Sequence, residues 1–227
     1  MAAALAILSW LVGRGLWIAR NRRRFSVSEL PGFLSDAECA HLIDKASPRM
    51  RGSKVAFAGR RGGDHVDRTS STAFLDQQGD RIIRDIKLRI AEAVGLPVEN
   101  QERIQITHYL ENQLYDLHHD ALRAAQIDPG EAGDRMFTAI LYLNDGYQGG
   151  ATWFPRIRRR ILPEKGKAVV FRNMKEDGRL VERLSLHAGE PVRGGEKWIS
   201  NQWIRQHRRQ PPASSRKPAG RGPRNRR

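Results

Sequence analysis

Along residues 35–97 the apolar positions recur every three or four residues, and from residue 103 onward they alternate. "SDAECAHLIDKAS" opens with Ser35 and carries Glu38 three positions on, the capping-box signature of a helix start. Ala40, Leu42 and Ile43 then supply one apolar face. "RIIRDIKLRIAEAVGLP" sets Ile82, Ile83, Ile86 and Ile90 at helical spacing, and Gly95 with Pro97 ends it. After that the period becomes two. "RIQITHYL", "RMFTAILYLN", "KAVVF" and "KWISNQWI" are short, alternating and rich in β-branched and aromatic residues, with turn formers such as "NDGYQGG" and "VRGGE" between them. Helices first and a run of strands afterwards predict a mainly β fold with N-terminal helices, a helix-buttressed sandwich or jelly roll. No internal repeat is present.

Length and charge refine this picture at the ends of the chain. The 227 residues suffice for one well-buried domain or at most two small ones. The net charge is +15, yet residues 25–204 hold 26 basic and 25 acidic residues, so the excess resides in two appendages. Residues 206–227, "QHRRQPPASSRKPAGRGPRNRR", are rich in Arg, Pro and Gly without apolar periodicity, which predicts a disordered tail. Such a tail either solubilises the protein or holds an anionic surface, RNA or lipid, through phosphate contacts. Within the N-terminal segment 1–24, residues 2–19 are almost wholly apolar, but Gly13, Arg14 and Gly15 interrupt them. A membrane span needs about 20 such residues, and a central Arg costs roughly 2.5–3.5 kcal/mol. The basic cluster "RNRRR" follows the apolar run, which argues against a signal peptide and keeps the body cytoplasmic by the positive-inside rule. A weak anchor or an interfacial helix at 2–19 is the membrane-associated alternative. The single cysteine, Cys39, excludes an internal disulfide, and its place in a helical pattern assigns it to packing.

The densest titratable stretch is "HYLENQLYDLHHD", residues 108–120. Taken as a strand, residues 114–120 put side chains i and i+2 on one face, so His118 and Asp120 point together while His119 points away. A third ligand must come from elsewhere, and "LSLHAGEPV" offers His187. Two histidines and one carboxylate can hold zinc. They are equally the facial triad of non-haem Fe(II) oxygenases, which leaves positions open for cosubstrate and O2. Lys197 stands ten positions past His187 at the start of an apolar strand. It is either a solvated strand-end charge or, pointing inward, a cation that requires an anionic partner.

These segments resemble the catalytic domain of the prolyl 4-hydroxylase family of Fe(II)- and 2-oxoglutarate-dependent dioxygenases. The likeness covers most of residues 25–205 and runs in order through "LPGFLSDAECAHLI", "DRTSSTAFL", "GLPVENQERIQITHY", "NQLYDLHHD", "RMFTAILYLNDGYQGGATWFP", "PEKGKAVVF" and "SLHAGEPVRGGEKWISNQWIR". It implies a double-stranded β-helix core, with His118, Asp120 and His187 as iron ligands. Lys197 would pair with the far carboxylate of 2-oxoglutarate, with Tyr109 and Thr152 supplying hydroxyls to it. Tyr115 would line the substrate side. Trp203 and Arg68 are further candidates for substrate contact, Arg68 equally for a structural salt bridge. The implied reaction consumes O2 and 2-oxoglutarate, releases succinate and CO2 and hydroxylates an aliphatic C–H, with ascorbate as the expected reductant. Keeping Asp120 argues for hydroxylation, since related halogenases carry a small residue there.

A protein or peptide, with proline as target, is the favoured substrate, and a free amino acid or other small molecule the alternative. A non-catalytic basic binding module on the same fold is the third reading, and an intact triad with Lys197 argues against it. The chain departs from the family pattern at Asn112, where glycine is usual, and at Ala121 and Leu122, where aromatics often stand. It departs again at Ala151 in place of an acid, at the bulky Trp153, and in the basic run Arg156, Arg158, Arg159 and Arg160.

Overall fold

A computed structural model describes residues 25–53, 69–122 and 132–209. The apolar segment 2–19, Arg68 and the tail from residue 210 lie outside the described residues. Among those described, no helix is long and apolar enough to cross a membrane.

Among the described residues, two α-helices form as their end signals dictate. Helix α1 spans Asp36–Ala46, and Ser35 and Glu38 make the reciprocal capping box. Helix α2 spans Arg81–Val94; Asp80 caps its start by accepting from Ile83 N, and Gly95 ends it in the left-handed region at φ 68°. Asp80 also takes Lys45 at 2.6 Å and His41 at 2.9 Å, which fastens α1 to α2. Cys39 is fully buried within α1, and burial pushes its thiol up to about 11, so it is an inert packing residue.

The strands are β1 (Val27–Leu30), β2 (Arg51–Gly52), β3 (Ser71–Leu75), β4 (Ile104–Tyr109), β5 (Tyr115–His118), β6 (Arg135–Tyr142), β7 (Gln148–Gly149), β8 (Thr152–Phe154), β9 (Arg159–Ile161), β10 (Ala168–Arg172), β11 (His187–Gly189), β12 (Val192–Gly194) and β13 (Lys197–Arg205). They form a seven-stranded sheet in the order β1-β10-β6-β13-β4-β3-β2 and a four-stranded sheet in the order β5-β11-β8-β9. A two-stranded ribbon, β12-β7, completes the set. Every pairing is antiparallel. The expected jelly roll with buttressing helices is therefore the fold.

Period-two alternation divides the large sheet between two cores. Ile104 and Ile106 of β4, Phe137, Ala139 and Leu141 of β6, and Trp198 and Ile204 of β13 pack with α1 and α2. Tyr109, Ile140, Tyr142, Phe171 and Ile199 face the second sheet, where Phe154 and Ile161 meet them. Strand β13 lies between β4 and β6 and is buried along almost its whole length. Lys197 at its first position is 1% exposed, which removes the reading of a solvated strand-end charge.

The strand expected over 114–120 is shorter than the sequence pattern suggests. It ends at His118, and Asp120 stands in the bend that follows. The cause is the partner strand: His118 pairs with His187, the first residue of β11, and nothing beyond is left to pair with. Asp134 Oδ1 then accepts from Leu122 N at 2.6 Å and turns the chain away. Asn112 adopts φ 63°, the left-handed conformation a glycine would otherwise supply, and its N–H donates to Val192 O.

Candidate active site

His118 at the end of β5 and His187 at the start of β11 come together because their strands pair at those two residues. Asp120 reaches between them from the bend. His118 Nε2 lies 3.6 Å from Asp120 Oδ1, and His187 Nε2 lies 3.7 Å from Asp120 Oδ2. The ligand atoms of all three lie within 4.8 Å of one another, the one such group of three or more among the described residues. Each histidine ties its other nitrogen to a backbone carbonyl: Nδ1 of His118 to Asp116 O at 2.7 Å, and Nδ1 of His187 to Ser185 O at 2.9 Å. A carbonyl can only accept, so each Nδ1 carries a proton, and each Nε2 is the nitrogen turned toward the site. Burial, with the His118 ring beside it, pushes His187 down to about 4, which keeps it neutral at pH 7. Burial opposes ionisation of Asp120, yet the His118 and His187 rings and Arg135 hold its carboxyl well below the usual range. Two imidazoles and one carboxylate gathered at one place fit a divalent transition metal.

His119 points the other way, half-buried, with Nδ1 3.1 Å from Ser185 Oγ. Period two pairs His118 with Asp120 because strand residues two apart share a face. In the structure the bend, and not a continuing strand, delivers Asp120 to that position.

Residues with no local sequence signal hold the carboxylate. Thr138 Oγ1 donates to Asp120 Oδ2 at 2.7 Å, and Asn173 Nδ2 donates to Thr138 Oγ1 at 2.7 Å. A carboxylate only accepts, so Thr138 must spend its hydrogen on Asp120, and the amide behind it must present N–H. Oδ1 is left as the oxygen free for a metal. Arg135 donates to Asp120 O at 3.5 Å, lies 3.6 Å over the Trp203 ring, and is held by Glu102 together with Arg205. Thr138→Val, which keeps the shape and deletes the hydroxyl, is expected to weaken Fe(II) or Mn(II) binding by about 10- to 100-fold in a metal titration.

The second half of the site surrounds Lys197. Its ammonium donates to Gly150 O at 2.7 Å and lies 5.1 Å from the Tyr109 ring and 5.8 Å from the Tyr142 ring. No carboxylate pairs with it among the described residues; the charge of Glu190 reaches it, but Glu190 itself is paired with Arg160 at 2.6 Å. Burial pushes Lys197 down to about 7. Thr152 Oγ1 lies 2.7 Å from Tyr142 Oη, and both are buried. A buried cation with hydroxyls and no counter-ion is a pocket shaped for an incoming carboxylate.

Of the candidates for substrate contact, Tyr115 stacks on the His118 ring at 3.6 Å. Trp203 sits on the β13 face that carries Lys197, beside Thr138 in the register and under Arg135, at the metal end of the inner face. The basic run turns at Arg158, φ 52°, with Arg159 paired to Glu29 and Arg160 to Glu190.

The comparisons agree with this geometry. Residues 104–205 match the sequence profile of the 2OG-Fe(II) oxygenase superfamily. "Probable prolyl 4-hydroxylase 8" of Arabidopsis thaliana is 36% identical over 197 residues, covering 77% of this chain and 67% of that protein. "Putative prolyl 4-hydroxylase" of Acanthamoeba polyphaga mimivirus is 30% identical over 183 residues, covering 79% of this chain and 74% of that protein. Among solved structures, the viral collagen prolyl hydroxylase of Paramecium Bursaria Chlorella virus-1 in its 2OG complex superposes with a TM-score of 0.62 at 29% identity. That likeness covers 79% of this chain and 95% of the viral one.

Proposed function

The chain belongs to the prolyl 4-hydroxylase family of 2OG-Fe(II) oxygenases, and from that premise we propose that it hydroxylates prolyl residues in a protein or peptide. The overall change balances as one oxygen atom of O2 entering the substrate C–H bond and the other entering succinate, with CO2 leaving 2-oxoglutarate. The observation that carries the reading is the pairing of two sites. One ligand atom each of His118, Asp120 and His187 lies within 4.8 Å of the others, and a buried Lys197, without a carboxylate partner among the described residues, lies against Tyr109 and Tyr142.

Fe(II), when bound, supplies the activation of O2 and anchors the keto-acid end of 2-oxoglutarate. The rest falls to the protein's own residues. His118 and His187 would hold the metal through one imidazole nitrogen each, and Asp120 through a carboxylate oxygen. Lys197 takes the distal carboxylate, helped by the Tyr142–Thr152 hydroxyl pair, and so fixes the cosubstrate's orientation. The aromatic walls Phe154 and Phe171, packed against the His187 ring, keep water from that side of the centre. Tyr115, stacked on the His118 ring, and Trp203, buried under Arg135, are the candidates for substrate contact, and ascorbate would serve as the reductant.

The test is direct. Purified protein supplied with Fe(II), ascorbate and 2-oxoglutarate is offered proline-containing peptides, and the products are examined by mass for one added oxygen on proline and for matching succinate. Succinate release stimulated by free proline alone, with every peptide inert, would move the substrate to small molecules. No succinate under any condition would remove the enzymatic reading.

A further inference from the structure

Next to Lys197 lies a buried donor that the folded chain does not use. Tyr147 belongs to the "NDGYQGG" turn between β6 and β8, which composition marks only as a turn. The structure instead folds its ring inward, 8% exposed, into the core that holds Tyr109 and Tyr142. Its hydroxyl is buried and has no hydrogen-bond partner among the described residues. Two glycines make room for it. A Cβ on Gly150 (φ +64°) would stand 2.9 Å from Tyr147 Cε2 and 3.2 Å from Lys197 Cδ. A Cβ on Gly195 (φ +81°) would stand 3.2 Å from Tyr147 Cβ. Gly150 therefore seats the phenol edge and the lysine stem side by side, while its carbonyl holds the lysine ammonium.

A buried hydroxyl left without a partner is costly, and native folds rarely retain one without use. The donors here suit one kind of partner. Lys197 spends one of its three N–H bonds on Gly150 O and keeps two. Tyr142 and Thr152 share one hydrogen bond, which leaves one of their two hydroxyl hydrogens free. A carboxylate accepts about four hydrogen bonds. Burial pushes the Tyr147 phenol up, so it stays protonated and can only serve as a donor to an anion.

We propose that Tyr147 is a further binding residue of the cosubstrate pocket, its hydroxyl donating to the distal carboxylate of 2-oxoglutarate beside Lys197. The inference rests on the reading of the pocket as a 2-oxoglutarate site. It predicts that removing one oxygen from this side chain weakens the distal end of the ligand and nothing else.

The experiment measures binding without turnover. Wild type and Tyr147→Phe, both loaded with Fe(II) and held anaerobic, are titrated calorimetrically with 2-oxoglutarate and, separately, with oxalate, which has the metal-binding end but no distal carboxylate. The expected result is a Kd for 2-oxoglutarate raised by about 10- to 100-fold in Tyr147→Phe. Oxalate should bind both proteins equally. The thermal midpoint of the ligand-free variant should equal or exceed that of wild type, because an unpartnered donor has been removed. Equal 2-oxoglutarate affinities in the two proteins overturn the role of Tyr147 alone. A parallel loss of oxalate binding shows damage to the metal end and likewise overturns it. Failure of wild type to bind 2-oxoglutarate at all overturns the cosubstrate reading beneath it.

Discussion

His118→Ala is expected to lower 2-oxoglutarate turnover by ~10^3-fold or more, while His119→Ala leaves it within a few-fold of wild type. The two residues are chain neighbours of the same type, so composition gives no ground for the contrast. The difference is geometric. His118 has its Nδ1 pinned to Asp116 O and its Nε2 3.6 Å from Asp120. Deleting that ring removes one of three ligands and leaves the buried Asp120 facing His187 alone. His119 turns to the opposite side and meets Ser185 Oγ, so its loss removes one hydrogen bond, about 1 kcal/mol of stability. Succinate production and the iron content of the purified variants read both effects. A protein that survives His118→Ala and dies with His119→Ala would refute the placement of the metal.

That pair of residues also shows how far the sequence reaches. Side chains two apart on a strand share a face, and this rule alone joins His118 to Asp120. The two side chains do lie together although β5 stops at His118, because one bend residue still lets Asp120 swing back to the same side. The strand's true end was not legible, since it depends on where β11 begins, some seventy residues on. Thr138 and Asn173 were illegible for a related reason. Each sits in a segment that reads as an apolar run, and its inward direction is decided by the sheet order. Once "RMFTAILYLN" is placed beside β13, a polar Thr138 among inward Ile140 and Tyr142 becomes conspicuous. Tyr147 was hidden by its setting. Asn, Asp and Gly on either side declare a turn, and nothing local says that the tyrosine folds into the core. The two helices were the most legible elements, because capping and glycine termination are written within a few residues of each end.

Lys197→Met is expected to raise the Kd for 2-oxoglutarate by about 10^2- to 10^3-fold, the cost of leaving a buried carboxylate without its cation. The same substitution should not destabilise the ligand-free fold, since it replaces a buried, unpaired ammonium with an apolar chain of similar length. The pH dependence gives the more specific signature. Folding lowers the Lys197 pKa from 10.5 to about 7 through burial. Between those values the unfolded chain keeps a proton that the ligand-free folded chain releases, so the contribution of this group to stability rises as pH climbs from about 7 toward 10.5. Below pH 7 the folded protein bears the full cost of the buried charge. Binding of 2-oxoglutarate demands the charged form, so above pH 7 each bound ligand takes up one proton. Its affinity for the metal-loaded protein then falls by up to about 10-fold per pH unit. Lys197→Met should bind weakly with no such slope, and Lys197→Arg, which stays charged, should bind without the slope but more tightly than Lys197→Met. Calorimetry in two buffers of different ionisation enthalpy counts the proton directly. Uptake of no proton at pH 8.5 by wild type would mean that Lys197 is already charged in the empty pocket and has an anionic partner there.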